Sequence, residues 1–173
     1  MSPGHPVIEA AGPPPHEVQL YGADERFLAA NVGRYIRDGL NQGEGVVVFA
    51  VPQHSEAFAR AAMASGADVA SAIRRKQLMF ADAGETLAAL MANGRVDSAR
   101  FESVIRQAVR KARPLPDHAG IRAYGEMVGL LWTAGKFQQA IELEERWNTL
   151  LPSLGLRLFC AYPIDIGADR RDS

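Results

Sequence analysis

Hydrophobic positions along this chain change period repeatedly, from the short continuous runs of buried strands to the three-to-four spacing of helices. Gly45-Val46-Val47-Val48-Phe49-Ala50-Val51 is unbroken apolar sequence, which predicts a central parallel strand covered on both faces. Leu78-Met79-Phe80-Ala81, Ile121-Arg122-Ala123-Tyr124 and Leu156 to Ala161 predict three more strands, the last closed by Pro163. His16 to Tyr21 alternates weakly and predicts a short edge strand. Helical spacing fills the intervals. Residues 24–42 carry Leu28, Val32, Tyr35, Ile36 and Leu40 on one face, with Asp24 as the expected N-cap. Further helices are expected from about Ser55 to Ser65 with Gly66 as the C′ residue, after Asp68, and over 84–92 up to Asn93-Gly94. The cleanest stripe is Phe101, Val104, Ile105, Ala108, Val109 and Ala112, which predicts a helix over 97–112. Two last helices are expected at 127–134 and 137–151.

Strands alternating with helices specify an α/β fold, a three-layer sandwich with a mostly parallel, RecA/P-loop-like sheet and right-handed crossovers. Such sheets place their sites beyond the carboxyl ends of the strands. Here those ends are Pro52-Gln53-His54, Asp82-Ala83-Gly84, Gly125-Glu126-Met127 and Tyr162-Pro163. The segment after the strongest strand, Pro52-Gln53-His54-Ser55-Glu56, reads as a turn with no glycine and no lysine. A phosphate cradle needs flexible backbone N–H groups and a cation, and proline removes a donor. The scaffold therefore resembles a phosphate-binding one without its cradle, and binding or sensing is expected in place of ATP hydrolysis.

Composition narrows the rest. The 173 residues are 47% hydrophobic and 23% charged, enough for one substantial core over residues 16–166. Residues 1–15, rich in proline, read as a flexible leader, and 167–173 as a frayed tail. A net charge of −1 gives no footprint for nucleic acid or an anionic membrane. The single cysteine, Cys160, excludes an internal disulfide and fits a reducing compartment. No secretory signal or membrane span is visible, so a cytoplasmic location is expected.

Candidate chemistry gathers at the strand ends. Glu126 ends a strand where P-loop ATPases hold the acid that handles magnesium and water, although an acid there also caps the next helix. Gln53, His54, Asp82, Glu126 and Tyr162 are expected around one cleft with Trp132 on its wall. His54 has no partner at metal-ligand spacing, so no metal site and no cofactor are assigned. Glu144 interrupts the stripe Ala140, Leu143, Trp147, Leu150, Leu151 and Leu154, which predicts a partly buried carboxylate in a structural pair, while Glu142, Glu145 and Arg146 read as outward. Cys160, among Leu158, Phe159 and Ala161, reads as an inert buried thiol.

Several segments in order carry a family likeness: His16-Glu17-Val18-Gln19-Leu20-Tyr21, Gly39-Leu40 with Gly43-Glu44, Asp82-Ala83 with Glu85-Thr86-Leu87, Arg122 to Met127, Leu143-Glu144 with Trp147-Asn148, and Cys160-Ala161-Tyr162-Pro163. Together they resemble the MEDS domain, a sensory domain of methanogens and methylotrophs, over roughly residues 16–165. The resemblance implies a RecA-like fold and a signalling role in bacteria or archaea, with small hydrocarbon derivatives as proposed stimuli. It implies no catalytic residue; its motif positions include His16, Glu144 and Asn148, taken here as structural polar residues. Output would pass through a partner such as a histidine kinase. The expected function is thus a non-enzymatic sensory domain binding a small ligand or signalling partner. The alternatives are a nucleotide-binding ATPase with an unusual phosphate loop and a pure protein-interaction module.

Overall fold

The computed structural model describes residues 15–164; the expected leader before residue 15 and the tail after 164 lie outside the described residues. Five strands, β1 (His16–Tyr21), β2 (Gly45–Ala50), β3 (Leu78–Asp82), β6 (Ile121–Gly125) and β7 (Leu156–Pro163), form one all-parallel sheet. Its order is β1-β7-β6-β2-β3. The two short strands β4 (Met91–Ala92) and β5 (Arg95–Val96) make a separate antiparallel hairpin.

The unbroken apolar run of β2 is explained by its central position, because both faces are covered. Val46, Val48 and Ala50 pack against α1 (Arg26–Asn41), α2 (Pro52–Ala64) and α3 (Val69–Arg74) through Leu28, Val32, Ile36, Phe58 and Ala72. Val47 and Phe49 face the opposite layer, α4 (Ala83–Leu90), α5 (Ser98–Lys111), α6 (Met127–Thr133) and α7 (Phe137–Leu154), through Leu90, Phe101, Ile105, Leu143 and Trp147. Alternate residues feed alternate cores, so the sandwich has two hydrophobic layers and no face left to solvent along β2. Between β2 and β6 the connectivity reverses: the chain leaves β2 for β3 on one side and returns to β6 on the other. That reversal is the topological switch point, where a crevice opens beyond the carboxyl ends.

Three boundaries differ from the sequence expectation for definite reasons. The expected turn Pro52–Glu56 does not exist, since α2 begins at Pro52. Proline needs no hydrogen-bond acceptor in a first turn and its ring already fixes a helical φ, so β2 passes into α2 through Val51 alone. Ser55 is therefore inside the helix and not at its start, its N–H donating to Val51 O at 3.0 Å. In α1 the N-cap position falls on Glu25, while Asp24 accepts the Arg26 N–H at 3.1 Å. The helix expected to reach residue 92 ends at Leu90, because Asn93 (φ 52°) and Gly94 (φ 73°) form the two-residue turn of the β4–β5 hairpin. An Asn-Gly pair is the strongest short hairpin signal, and here it overrides helical spacing.

Candidate functional site

At the switch point Glu126 does what Pro52–Glu56 cannot. Its backbone N–H donates to Phe49 O at 3.1 Å, which ties the end of β6 to β2. It occupies the N-cap position of α6, yet its side chain makes no capping bond there. The carboxylate turns instead toward the start of α2, where Val51 N–H donates to Oε2 at 2.8 Å. Oε1 accepts the Tyr124 hydroxyl at 3.0 Å and the His54 Nδ1–H. A carboxylate of the chain thus sits against the positive end of a helix, in the position a bound anion would take in a phosphate-binding relative of this topology. The Glu126 side chain is only 5% exposed and both its oxygens are satisfied.

His54, in the first turn of α2, links two acids. Besides Glu126 it meets Glu25 Oε2 through Nε2 at 2.9 Å. Both ring nitrogens donate only if the ring is protonated. The bond to Glu126 holds that proton, and Glu25 adds to it, against the opposing effect of burial; the pKa is raised to about 9. Tyr21, edge-on to His54 at 6.2 Å, is pushed up to about 12 by burial and then by the nearby Glu126 and Glu25. Tyr124 moves in the same direction for the same first reason.

The His54 shift has a defined sign. Unfolded, the ring titrates near 6.5; folded, near 9. The stabilisation is complete below pH 6.5 and is lost as pH rises through 9. Between pH 6.5 and 8 the loss should be no more than about 1 kcal/mol once solvent screening of the partly exposed ring and of Glu25 is allowed for, read as a falling urea midpoint. In His54→Gln that slope should flatten. An unchanged slope in the variant would show that the imidazole is not the titrating group.

The single cleft expected from the sequence is two sites on opposite faces of the sheet. His54 and Glu126 meet on the α1–α2 side, beside Phe58 and Tyr124. Tyr162 packs with the α4–α7 layer, and Trp132 joins it there. Alternation explains the split: Phe159 and Ala161 of β7 face the first layer, whereas Leu158, Cys160 and Tyr162 face the second. Gln53 is exposed and Asp82 N-caps α4, accepting the Glu85 N–H at 3.0 Å, so neither joins His54 and Glu126.

On the second face lies a cavity of about 540 Å³ lined by His16, Val18, Leu20, Trp132, Glu144, Tyr162, Pro163 and Ile164. Its walls are strand and helix surfaces. Val18 and Leu20 project from the edge strand β1, 54% and 60% exposed, and Trp132 is 47% exposed. Gly129 lets α6 lie close over β7, since a Cβ there would stand 2.9 Å from Ala161 O. That close approach carries Trp132 to the rim. At the inner end His16 Nδ1 lies 3.2 Å from Asn148 Oδ1 and 3.8 Å from Glu144 Oε2. Burial raises the Glu144 pKa, with His16 acting in the opposite sense. Cys160 lies beneath, its thiol pushed well up by burial and then by Glu144.

Elsewhere, Glu142 is not outward as expected: its side chain is 11% exposed and pairs with Arg95 of the hairpin. Beneath the opposite, amino edge of the sheet, the buried Arg122 pairs with Glu44, donates to Tyr35 O at 2.9 Å and stacks 4.7 Å from the Tyr35 ring centroid.

The structure is a parallel α/β sandwich whose switch-point corner is filled by its own carboxylate and whose open cavity is largely apolar. The chain belongs to the MEDS family, the MEthanogen/methylotroph, DcmR Sensory domain, whose model matches residues 15–170. No curated protein matches the chain. Among the described residues no helix is long and apolar enough to cross a membrane.

Proposed function

We propose that this sensory domain binds a small, weakly polar organic molecule in the cavity between β1, α6 and α7, and passes the signal to a partner protein without catalysis. The cavity carries the reading. It combines apolar walls with the polar groups of His16 and Glu144 at one end, the arrangement that orients a small ligand. Its volume of about 540 Å³ exceeds what a molecule of a few heavy atoms fills, so an aromatic or short-chain compound suits it better than a single-carbon one. Support against the ATPase reading comes from the closed Glu126–His54 pair, where a triphosphate would have to displace a satisfied carboxylate.

Trp132 is half-exposed on the cavity wall and Trp147 is 1% exposed, so ligand entry should be visible in fluorescence from one indole. Titration with short-chain alcohols, thiols, amines and phenols should give saturable quenching with at least one class, and Trp132→Phe should abolish it. Magnesium-ATP should give neither quenching nor phosphate release. ATP turnover that disappears in Glu126→Gln would replace this reading with the nucleotide-binding one. Absence of any saturable response, with ATP also silent, would leave the interaction module.

A further inference from the structure

We infer that His16, Glu144 and Cys160 form a binding site for a borderline-soft divalent cation, of which zinc is the type, at the inner end of the cavity. The inference rests on the reading of that cavity as the sensory site and gives it a chemistry. One ligand atom from each of the three side chains lies within 4.8 Å of the others. Tetrahedral zinc separates its ligand atoms by roughly 3.3–3.8 Å, so the set must draw in by about an ångström to close.

A second observation is independent of that clustering. Among the described residues, the buried side-chain nitrogen and oxygen atoms lacking any hydrogen-bond partner are His16 Nε2 and Glu144 Oε1, both in this cluster. Buried polar atoms are normally satisfied, and two orphans side by side cost several kcal/mol unless something accepts their lone pairs. A cation does so. Asn148 supports the same assignment, because its Oδ1 takes the Nδ1–H of His16 and leaves the Nε2 lone pair free. Outer-sphere partners of this kind fix the tautomer of metal-bound histidines.

The ligand set selects the metal. One imidazole, one carboxylate and one thiolate are too soft for magnesium or calcium and suit zinc, cobalt or ferrous iron. Binding releases the Cys160 thiol proton to solvent, and the charge of the cation compensates the buried thiolate that remains. Three protein ligands leave a fourth position, and the cavity is where it would face. A thiol, alcohol or amine could ligate there while its carbon chain lies along Val18, Leu20 and Trp132.

Cobalt(II) added anaerobically to reduced, chelator-treated protein tests the site. One equivalent should bind, with a thiolate-to-cobalt charge-transfer band and the intense visible bands of tetrahedral geometry. Cys160→Ser should erase the charge-transfer band, and His16→Gln and Glu144→Gln should each weaken binding at least tenfold. Glu144→Gln should stay folded, since the carboxylate has an unpartnered oxygen in the metal-free state. His54→Gln should bind as the parent does. No binding by the parent, a charge-transfer band unchanged in Cys160→Ser, or loss confined to His54→Gln would overturn the site. Trp132 quenching by organics in chelator-treated protein separates the two readings. Quenching without any cobalt site removes the metal and keeps the sensor; a cobalt site without organic binding does the reverse.

Discussion

Glu126→Ala is expected to destabilise the fold by about 3–5 kcal/mol, the largest effect of any single substitution at the carboxyl edge. The truncation strands three groups at once: the Val51 N–H, the Tyr124 hydroxyl and the Nδ1–H of a His54 flanked by two acids. Leaving a buried partner uncompensated costs more than the bond itself contributes. Without Glu126 the His54 pKa should fall back toward its ordinary value, so the variant should also lose most of the stability slope above pH 6.5. Urea unfolding at pH 6 and pH 8 reads both effects. A loss below 1 kcal/mol with the slope intact would mean that the carboxylate is solvated and the corner open to ligand.

Arg122→Ala should cost a comparable 3–5 kcal/mol, at the other edge of the sheet. The guanidinium is 4% exposed and serves Glu44, the Tyr35 carbonyl and the Tyr35 ring together. Arg157 also reaches Glu44, at 3.1 Å, so the acid is not wholly abandoned when Arg122 goes. Arg122→Met should therefore recover about half the loss by filling the volume without restoring the charge. Gly39 is shaped around this side chain, since a Cβ there would stand 2.6 Å from Arg122 Cδ. Equal midpoints for the methionine variant and the parent would assign the whole contribution to packing.

The fold was legible because its strongest signals are collective. Five short strands separated by helical stripes admit few arrangements, and the unbroken run at 45–51 marked the central strand. Glu126 and His54 were legible for a topological reason: parallel strands deliver their carboxyl ends to one edge whatever the side chains are. Which face each residue takes was harder. Tyr162 follows Cys160 by two positions and must share its face, a parity that strand alternation already contained, yet the strand-end rule alone put it with His54. Glu142 misled because the residue that covers it, Arg95, belongs to a hairpin hidden inside a helical spacing.

The cluster of His16, Glu144 and Cys160 was beyond spacing rules altogether. Metal motifs are recognised when ligands lie a few residues apart on one element, whereas His16, Glu144 and Cys160 stand on three separate elements, β1, α7 and β7. The local trace was a pair of polar residues on α7 one helical turn apart, Glu144 half-buried and Asn148 exposed, both reaching the histidine that opens the edge strand.

Strand β1 is held by a ladder to β7 on one side only, and its outer edge is unpaired among the described residues. Such a segment opens locally at a small fraction of the free energy needed to unfold the whole domain, and it does so many times for each global event. Because His16, Val18 and Leu20 all ride on it, every opening dismantles the cavity, and every occupant of the cavity must suppress the opening. On the proposed function, occupancy would be converted into the fraction of time that six residues at the margin of the sheet spend docked. A receiver that touches that margin would read a change in residence, with no domain rotation or remodelled core required.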